Sequence, residues 1–394
     1  MSRSFIVTQT AFNDLCAHIR EMREVAFDTE FVSEFTYRPE LCLMQFATRE
    51  RCVCVDPFEI QDLSPWWDIM LDPAITVVIH GGREEVRFCV TNTLQAPTAI
   101  VDVQIAEGMH SPSFPLGYTA LVQRVMGIRI SGKETRTDWR RRPLTDSQIE
   151  YALEDVEHVL GIWDRQKADL MSRNRMGWAQ SEFQRMVDEV AGERTRENWR
   201  RIPGLQRLST RELAVLRELH AWREEESLQR DRPARRTLRD DLLLELAKRQ
   251  PRTQDDVVAT RDMNRSDYRR VAGEIAAAVQ RGLDLPANKL PPVEKAERKE
   301  EEQVLGQLLS IALANLCLQE SVAMQLIGTS ADLRHLVRWH VYGERDGEPP
   351  RLTQGWRAEV CGQLFQDVLD GKIAFRVADP HSDHPLKFER RVVE

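Results

Sequence analysis

The chain has 394 residues, 42% hydrophobic and 30% charged, with a formal net charge of −8. That length is too great for one compact core and predicts two to four foldable domains. No apolar run approaches the roughly 20 residues of a membrane span. The opening MSRSFIVTQT lacks the apolar segment and cleavage pattern of a secretory signal, and the 7 cysteines include no C-x-x-C. This argues against a disulfide framework and a zinc ribbon, and for a reducing cytoplasm.

In chain order, Phe12 to Met22 reads as an amphipathic helix with Phe12, Leu15, Cys16, Ile19 and Met22 on one face. Val25 to Phe31, Leu41 to Ala47 and Arg51 to Val55 read as strands, with antiparallel pairing expected. Pro57 to Leu71 is loop and helix. Ile75 to His80 is a dense β-branched run, hence a buried strand. Gly81 and Gly82 break it before a helix from Arg83 to Thr91. Ile100 to Ile105 is a strand or a strand turning into helix, and Tyr118 to Met126 is helical. Thr145 and Gln148 form a capping box, with Leu144 and Ile149 as its hydrophobic staple, so a helix is predicted from Asp146 through Leu160. Tyr151 and Asp155, four apart, share a face of that helix, with His158 a step further.

Beyond Arg173 the chain reads as helical almost throughout. A basic stretch ends at Pro203-Gly204, and Ser209 with Glu212 opens a second capping box. Helices over 240–249, 253–259 and 265–281 complete a small bundle. A Pro- and charge-rich stretch follows, then a second helical unit, then an aperiodic tail from Val377 with no predicted structure. Within the tail, His381 and His384 read as a solvated turn. His335 and His340 are five apart and do not share a helix face.

Within the first strand, Asp28 and Glu30 alternate onto the same face, away from Phe27, Thr29 and Phe31. Two carboxylates so placed repel each other, and a cation between them is the usual remedy. The competing reading is a strand end carrying two solvated acids. Arginines crowd at Arg136, Arg140, Arg141 and Arg142, at Arg194, Arg196, Arg200 and Arg201, and at Arg230, Arg232, Arg235, Arg236 and Arg239. Each group could neutralise phosphates, or could be a solvated helix face paired with nearby acids.

Three pieces stand in order: Asp28-Thr29-Glu30, His80-Gly81-Gly82-Arg83-Glu84-Glu85, and Tyr151-Ala152-Leu153-Glu154-Asp155. Together with FDTEFVSEFTYRPELCLMQ and GKETRTDWRRRPLTDSQIEYALEDV, they resemble the DEDD superfamily of 3′–5′ exonucleases. The likeness is to the Tyr-x-x-x-Asp branch and, within it, to the ribonuclease D family. It covers residues 5 to 170. LSTRELAVLRELHAWREEESLQRDRPARRTLRDDLLLELAKRQP resembles the helicase-and-RNase-D C-terminal (HRDC) domain. LIGTSADLRHLV and LTQGWRAEVCGQLFQDVLDGK resemble the family's second HRDC-like unit more loosely.

The resemblance implies a multidomain protein. An α/β ribonuclease H-like exonuclease domain, a mixed sheet flanked by helices, spans 1–175 and is followed by two all-α HRDC-like bundles. A connector is expected over 176–207, the HRDC domain over 208–285, a linker over 286–299, the second bundle over 300–374 and a tail over 375–394. The implied activity is hydrolysis of RNA 3′ ends to 5′-monophosphates, with tRNA precursors as substrates and tRNA 3′ processing as the task. Asp28, Glu30, Glu85 and Asp155 match the carboxylates that hold two Mg²⁺ or Mn²⁺ ions, and Tyr151 matches the tyrosine that orients the attacking water. Hard cations suit an all-oxygen donor set. Where the family offers Asp in the second motif this chain has Glu85, longer by one C–C bond, about 1.5 Å. Two rivals follow: an RNA-binding protein whose metal site Glu85 has weakened, and a DNA 3′–5′ exonuclease. Candidate RNA contacts are Arg136, Arg140, Arg141, Arg142, Arg235 and Arg236. No organic cofactor, membrane contact or oligomeric state is indicated, and a monomer is compatible with the reading.

Overall fold

The computed structural model describes residues 1–130, 137–193, 198–293, 300–345 and 347–391. Its first part is built on a six-stranded sheet in the order β1-β4-β3-β2-β5-β6. The strands are β1 (Ser2–Ile6), β2 (Glu24–Val32), β3 (Glu40–Ala47), β4 (Arg51–Val55), β5 (Thr76–Ile79) and β6 (Ile100–Asp102). β2 and β3 pair antiparallel, as do β3 and β4; β1 runs parallel to β4, and β2, β5 and β6 run parallel to one another. This is the mixed sheet expected from the sequence. β1 was not foreseen: its side chains are mostly exposed, and an edge strand without a buried face leaves no period-2 signature.

The strands alternate with helices α1 (Gln9–Met22), α2 (Ser64–Leu71), α3 (Arg83–Thr93), α4 (Val103–Gly108), α5 (Tyr118–Met126), α6 (Asp146–Glu157), α7 (Val159–Ser172) and α8 (Met176–Gly192). α1 starts where the Thr8 side chain accepts from the Ala11 amide, and buries Phe12, Leu15, Cys16 and Ile19. Under it, Phe27, Phe46 and Trp66 form an aromatic knot with ring centroids 4.5–5.1 Å apart. α8 is not a free connector. Its Ala179, Phe183, Met186, Val187 and Val190 are buried in the same core as the sheet.

A second, separate core belongs to α9 (Thr210–Gln229), α10 (Ala234–Thr237), α11 (Asp240–Arg249), α12 (Gln254–Val258) and α13 (Ser266–Asp284). The capping box at Ser209 and Glu212 forms as predicted. Gly282 of α13 lies against α9 so closely that a Cβ there would come within 2.5 Å of the Val215 backbone.

The C-terminal unit comprises α14 (Glu300–Glu320), α15 (Met324–Ile327), α16 (Ser330–Val341), α17 (Gly355–Arg357), α18 (Gln363–Leu369), and strands β7 (Ile373–Val377) and β8 (Leu386–Arg390). The expectation of an unstructured tail is corrected here. β7 and β8 pair antiparallel, Phe375 meets Phe388 at 5.8 Å, and the Asn315 side chain bonds both the amide and the carbonyl of Leu386 at 2.8 and 3.2 Å. Ile373, Phe375, Leu386 and Phe388 are half-buried at every second position, but two five-residue strands give too short a period-2 pattern to stand out beside the polar, Pro-containing turn that joins them.

This unit shares its core with the six-stranded sheet rather than standing alone. Trp178 and Trp356 stack at 5.1 Å, and the Ala323 amide donates to the Gly108 carbonyl at 2.8 Å. The buried Glu182 carboxylate accepts from Trp356 Nε1 at 3.1 Å and pairs with Arg357 at 2.6 Å and Arg185 at 2.7 Å. Burial alone would raise its pKa, but Arg357 and Arg185 outweigh burial and hold it below the usual carboxylate value. A depressed carboxyl contributes stability above its unfolded value of about 4.3, lost as pH falls through the folded value. Glu182→Ala is expected to cost about 3–5 kcal/mol in urea unfolding at pH 7, because it strands Arg357 in the interface. The penalty should shrink as the pH of the titration is lowered below about 4, where wild type loses the same contribution.

Candidate active site

β2 carries Asp28 and Glu30 at the centre of the sheet, paired in register with Gln45 and Leu43, and a register shift follows at Glu30/Phe31. Both carboxylates are half-buried. α6 crosses the strands from the other side, fixed at its start by the reciprocal bonds of Thr145 and Gln148 at 2.8 and 3.3 Å. It brings Tyr151 and Asp155 over the two strand acids. The predicted helix through Leu160 ends earlier, at Glu157. Tyr118 stitches that break: its hydroxyl donates to the Glu154 carbonyl at 2.9 Å and accepts from the His158 amide at 3.3 Å.

Glu85 comes from the first turn of α3. The turn before it depends on Asp102, a buried carboxylate that accepts from the Gly81 and Gly82 amides at 3.0 and 3.2 Å and also caps α4 through Gln104. Gly81 is left-handed at φ 62°, and a Cβ on Gly82 would lie 2.4 Å from Ile79 Cδ1, so this Gly-Gly is steric in origin. Glu84 turns outward into a network with Arg87, which with Arg83 also reaches Glu193 on α8. Glu85 turns inward, buried, and its Oε1 accepts from the Thr29 hydroxyl at 2.5 Å.

All four carboxylates are raised by burial, and Asp28 and Glu30 are raised further by the charges of the other acids. Asp28 is pushed well above its usual range, first by burial and then by Glu85, Asp155 and Glu30. Glu30 rises to about 8 through burial, Asp155 and Glu85. Asp155 rises to about 7 through burial, although the hydrogen bond from Tyr151 pulls it down. Glu85 rises to about 7 through burial, opposed by the Thr29 hydroxyl. Tyr151 is itself raised, by burial and then by the Asp155 charge, so it remains a neutral donor at working pH.

Among the described residues, no three carboxylate, imidazole or thiol groups already converge as a finished metal cage. The donor set nonetheless fits a hard divalent cation: all four groups are oxygen ligands, and their mutual repulsion is what a cation relieves. Beside them the buried Gln45, the register partner of Asp28, has no protein partner for either amide atom. Such an orphaned pair suits a hydrated site. Sequence reasoning did not single out Asp102, and it gave no role to two residues of the family-like stretches, Gln45 and Trp139, whose buried ring lies 6.2 Å from that of Tyr151.

The arginines separate into two kinds. Arg142 is removed from the candidate RNA contacts: its guanidinium donates to Asp56 at 2.8 Å and to the Cys42 and Trp139 carbonyls at 2.7 Å, leaving nothing for a phosphate. Arg136 lies outside the described residues. Arg141 is 85% exposed, and Arg140, paired to Asp138 at 2.9 Å, lies 4.8 Å over the Phe35 ring. Arg236, from the second core, lies 5.0 Å from the same ring. With Arg232, Arg235, Arg239, Arg265 and Tyr268 it lines a cavity of about 280 Å³. Arg235 is 82% exposed and meets Asp240 at 3.2 Å. Tyr37 joins the two cores, its amide bonding Asp231 at 3.0 Å and its hydroxyl donating to Glu224 at 2.9 Å.

Residues 4–170 match the 3′–5′ exonuclease family profile, and residues 212–279 match the HRDC domain. Fold and site together define a 3′–5′ exonuclease with an appended helical module. The chain is 31% identical to the ribonuclease D of Nitrobacter hamburgensis over 375 residues, covering 94% of this chain and 96% of that protein. It is 32% identical to the ribonuclease D of Jannaschia sp. over 378 residues, with the same two coverages. The crystal structure of Escherichia coli RNase D, described as an exoribonuclease involved in structured RNA processing, superimposes with a TM-score of 0.82 at 26% identity, over 94% of this chain and 99% of that one. The chain belongs to the ribonuclease D family, and it is a hydrolytic 3′–5′ exoribonuclease. Exonucleases of this superfamily are in general dependent on divalent metal. Among the described residues no helix is long and apolar enough to cross a membrane.

Acids raised by burial and by one another have a stability signature. Their favourable contribution is complete below the unfolded values of about 4 and is lost as pH rises through the folded values of about 7 and 8. The metal-stripped protein is therefore expected to lose thermal stability between pH 5 and 9, and Asp28→Asn should flatten that decline. Thermal melts across pH in excess chelator check both.

Proposed function

We propose that Asp28, Glu30, Glu85 and Asp155 hold two divalent ions and that the chain trims RNA from its 3′ end there, releasing nucleoside 5′-monophosphates. What supports this most is that carboxylates from β2, α3 and α6 gather in one mutually repelling cluster beneath a neutral tyrosine hydroxyl. Two Mg²⁺ or Mn²⁺ ions bound there would supply a water acidic enough to attack at neutral pH and a counter-charge for the leaving oxygen. The water oxygen forms a bond to the terminal phosphorus, the P–O3′ bond breaks, and the departing 3′ oxygen takes a proton to become the new chain end. Tyr151, oriented by donating its hydroxyl proton to Asp155 and backed by Trp139, positions the attacking water by accepting a hydrogen bond from it. Trp139 acts only through Tyr151.

The body of the RNA lies along Arg140, Phe35 and Arg236 toward the arginine-lined cavity of the second core. An exposed ring flanked by guanidinium groups suits the stacking of an unpaired base, and clustered arginines suit backbone phosphates. Structured precursors with a short single-stranded 3′ end, such as tRNA precursors, fit a cleft that admits one strand while a separate module holds the rest. All seven cysteines are unpaired and buried, which favours a reducing cytoplasm.

Asp28→Ala is expected to lower the rate of 3′ trimming by about 10³-fold or more, leaving RNA binding in place. A time course on 5′-labelled RNA, with EDTA as control and a matched DNA strand beside it, reads this. Trimming by the variant that persists and still needs metal would refute the site. A paired Arg232→Ala and Arg236→Ala variant should raise KM with kcat little changed, and should reduce the slope of log KM against log salt by about 2.

A further inference from the structure

Thr29 sits between Asp28 and Glu30, yet strand alternation turns its side chain to the opposite face of β2. There it is buried, and its hydroxyl has one recorded partner, Glu85 Oε1, at 2.5 Å. Thr29 therefore meets the one carboxylate of the site whose side chain is longer, by one C–C bond, than the aspartate the resemblance leads one to expect there. We infer that Thr29 is the positioning residue that allows a glutamate to occupy this place, by clasping the longer side chain at the depth where a shorter acid would otherwise end. The inference rests on the metal-binding reading of the four carboxylates.

Three observations lead to it. An aspartate at position 85, shorter by about 1.5 Å, would leave roughly 4 Å to the same hydroxyl, too far for a hydrogen bond, so the contact is specific to glutamate. Thr29 is also a neutral donor. A lysine or arginine in that place would cancel part of the negative field that attracts the ions, whereas a hydroxyl fixes the carboxylate and leaves its charge intact. Finally, the accepting oxygen has a second lone pair and the carboxylate a second oxygen, so the clasp leaves Glu85 with acceptor capacity to spare.

The test is a double-mutant cycle on ion uptake by the metal-stripped full-length chain, with free Mn²⁺ followed by electron paramagnetic resonance. Thr29→Val is expected to weaken Mn²⁺ binding about tenfold, the effect of one hydrogen bond to a charged group. Thr29→Ser, which keeps the hydroxyl, should stay within about twofold of wild type. In a Glu85→Asp background, Thr29→Val should change affinity by less than about twofold, since no clasp exists to lose. Should Thr29→Val fail to fold, Thr29→Ala reads the same contact. An unchanged affinity in Thr29→Val, or an equal loss in both backgrounds, overturns the clasp while leaving the site intact. Wild-type protein that takes up no more Mn²⁺ than Asp28→Ala would overturn the metal-binding reading and the clasp with it.

Discussion

The repulsion among four wholly or partly buried acids is what the exonuclease half of this molecule has to withstand. Asp28, Glu30, Glu85 and Asp155 sit where each raises the cost of ionising another, and where burial has already raised it. Left to themselves such groups would spread apart, so each is fixed by a device that tolerates charge. Asp28 and Glu30 ride on a strand paired with β3 along this stretch and anchored to β5 just before it, as far as Ala26. Asp155 is held by a helix whose first turn is locked by a capping box and whose far end is tied to Tyr118. Glu85 depends on a turn built around Asp102. A rigid frame that keeps like charges together without ions is a frame ready to gain free energy when ions arrive.

Much of this was written in local grammar. The alternation of β2, the β-branched run of β5, the two glycines after it and the capping boxes at Thr145 and Ser209 each have a short-range cause, and each emerged where the pattern placed it. What the chain did not disclose are outcomes of long-range contact. α8 falls in a stretch that reads as a basic connector, and the fold shows its apolar stripe closing the sheet's core. The break at His158 is imposed by a tyrosine forty residues upstream. Arg142 belongs to a run of arginines, and composition cannot tell that one of them is committed to Asp56 while Arg141 faces solvent. The hairpin of β7 and β8 depends on Asn315, which has no meaning until α14 lies alongside.

The same sorting of arginines explains how a chain of net charge −8 can address a polyanion. Buried guanidinium groups serve the fold: Arg142 on Asp56, Arg223 on Asp240 and Arg357 on Glu182 each answer one internal carboxylate. Arg232, Arg236 and Arg265 have no ion pair recorded among the described residues, and all three line one cavity. Net charge sums the whole chain, whereas a phosphate within a Debye length of about 8–10 Å responds to the local excess.

Geometry ties that cationic face to the acids. β2 ends at Val32, and a few residues further on the same strand of chain presents Phe35 and Tyr37 to the second core. The segment that supplies two of the four carboxylates therefore also supplies the contact with the helical module. Tyr37 fixes that module through two hydrogen bonds, one donated by its own backbone amide, so the module's orientation is set relative to β2 and not merely to the domain surface. On the proposed function, an RNA strand held by the module's arginines would be indexed against Asp28 and Glu30 through a very short length of polypeptide. In an exonuclease that removes residues one at a time, the distance between the grip and the cut has to be constant, and a direct covalent path from one to the other is the simplest way for a chain to keep it so.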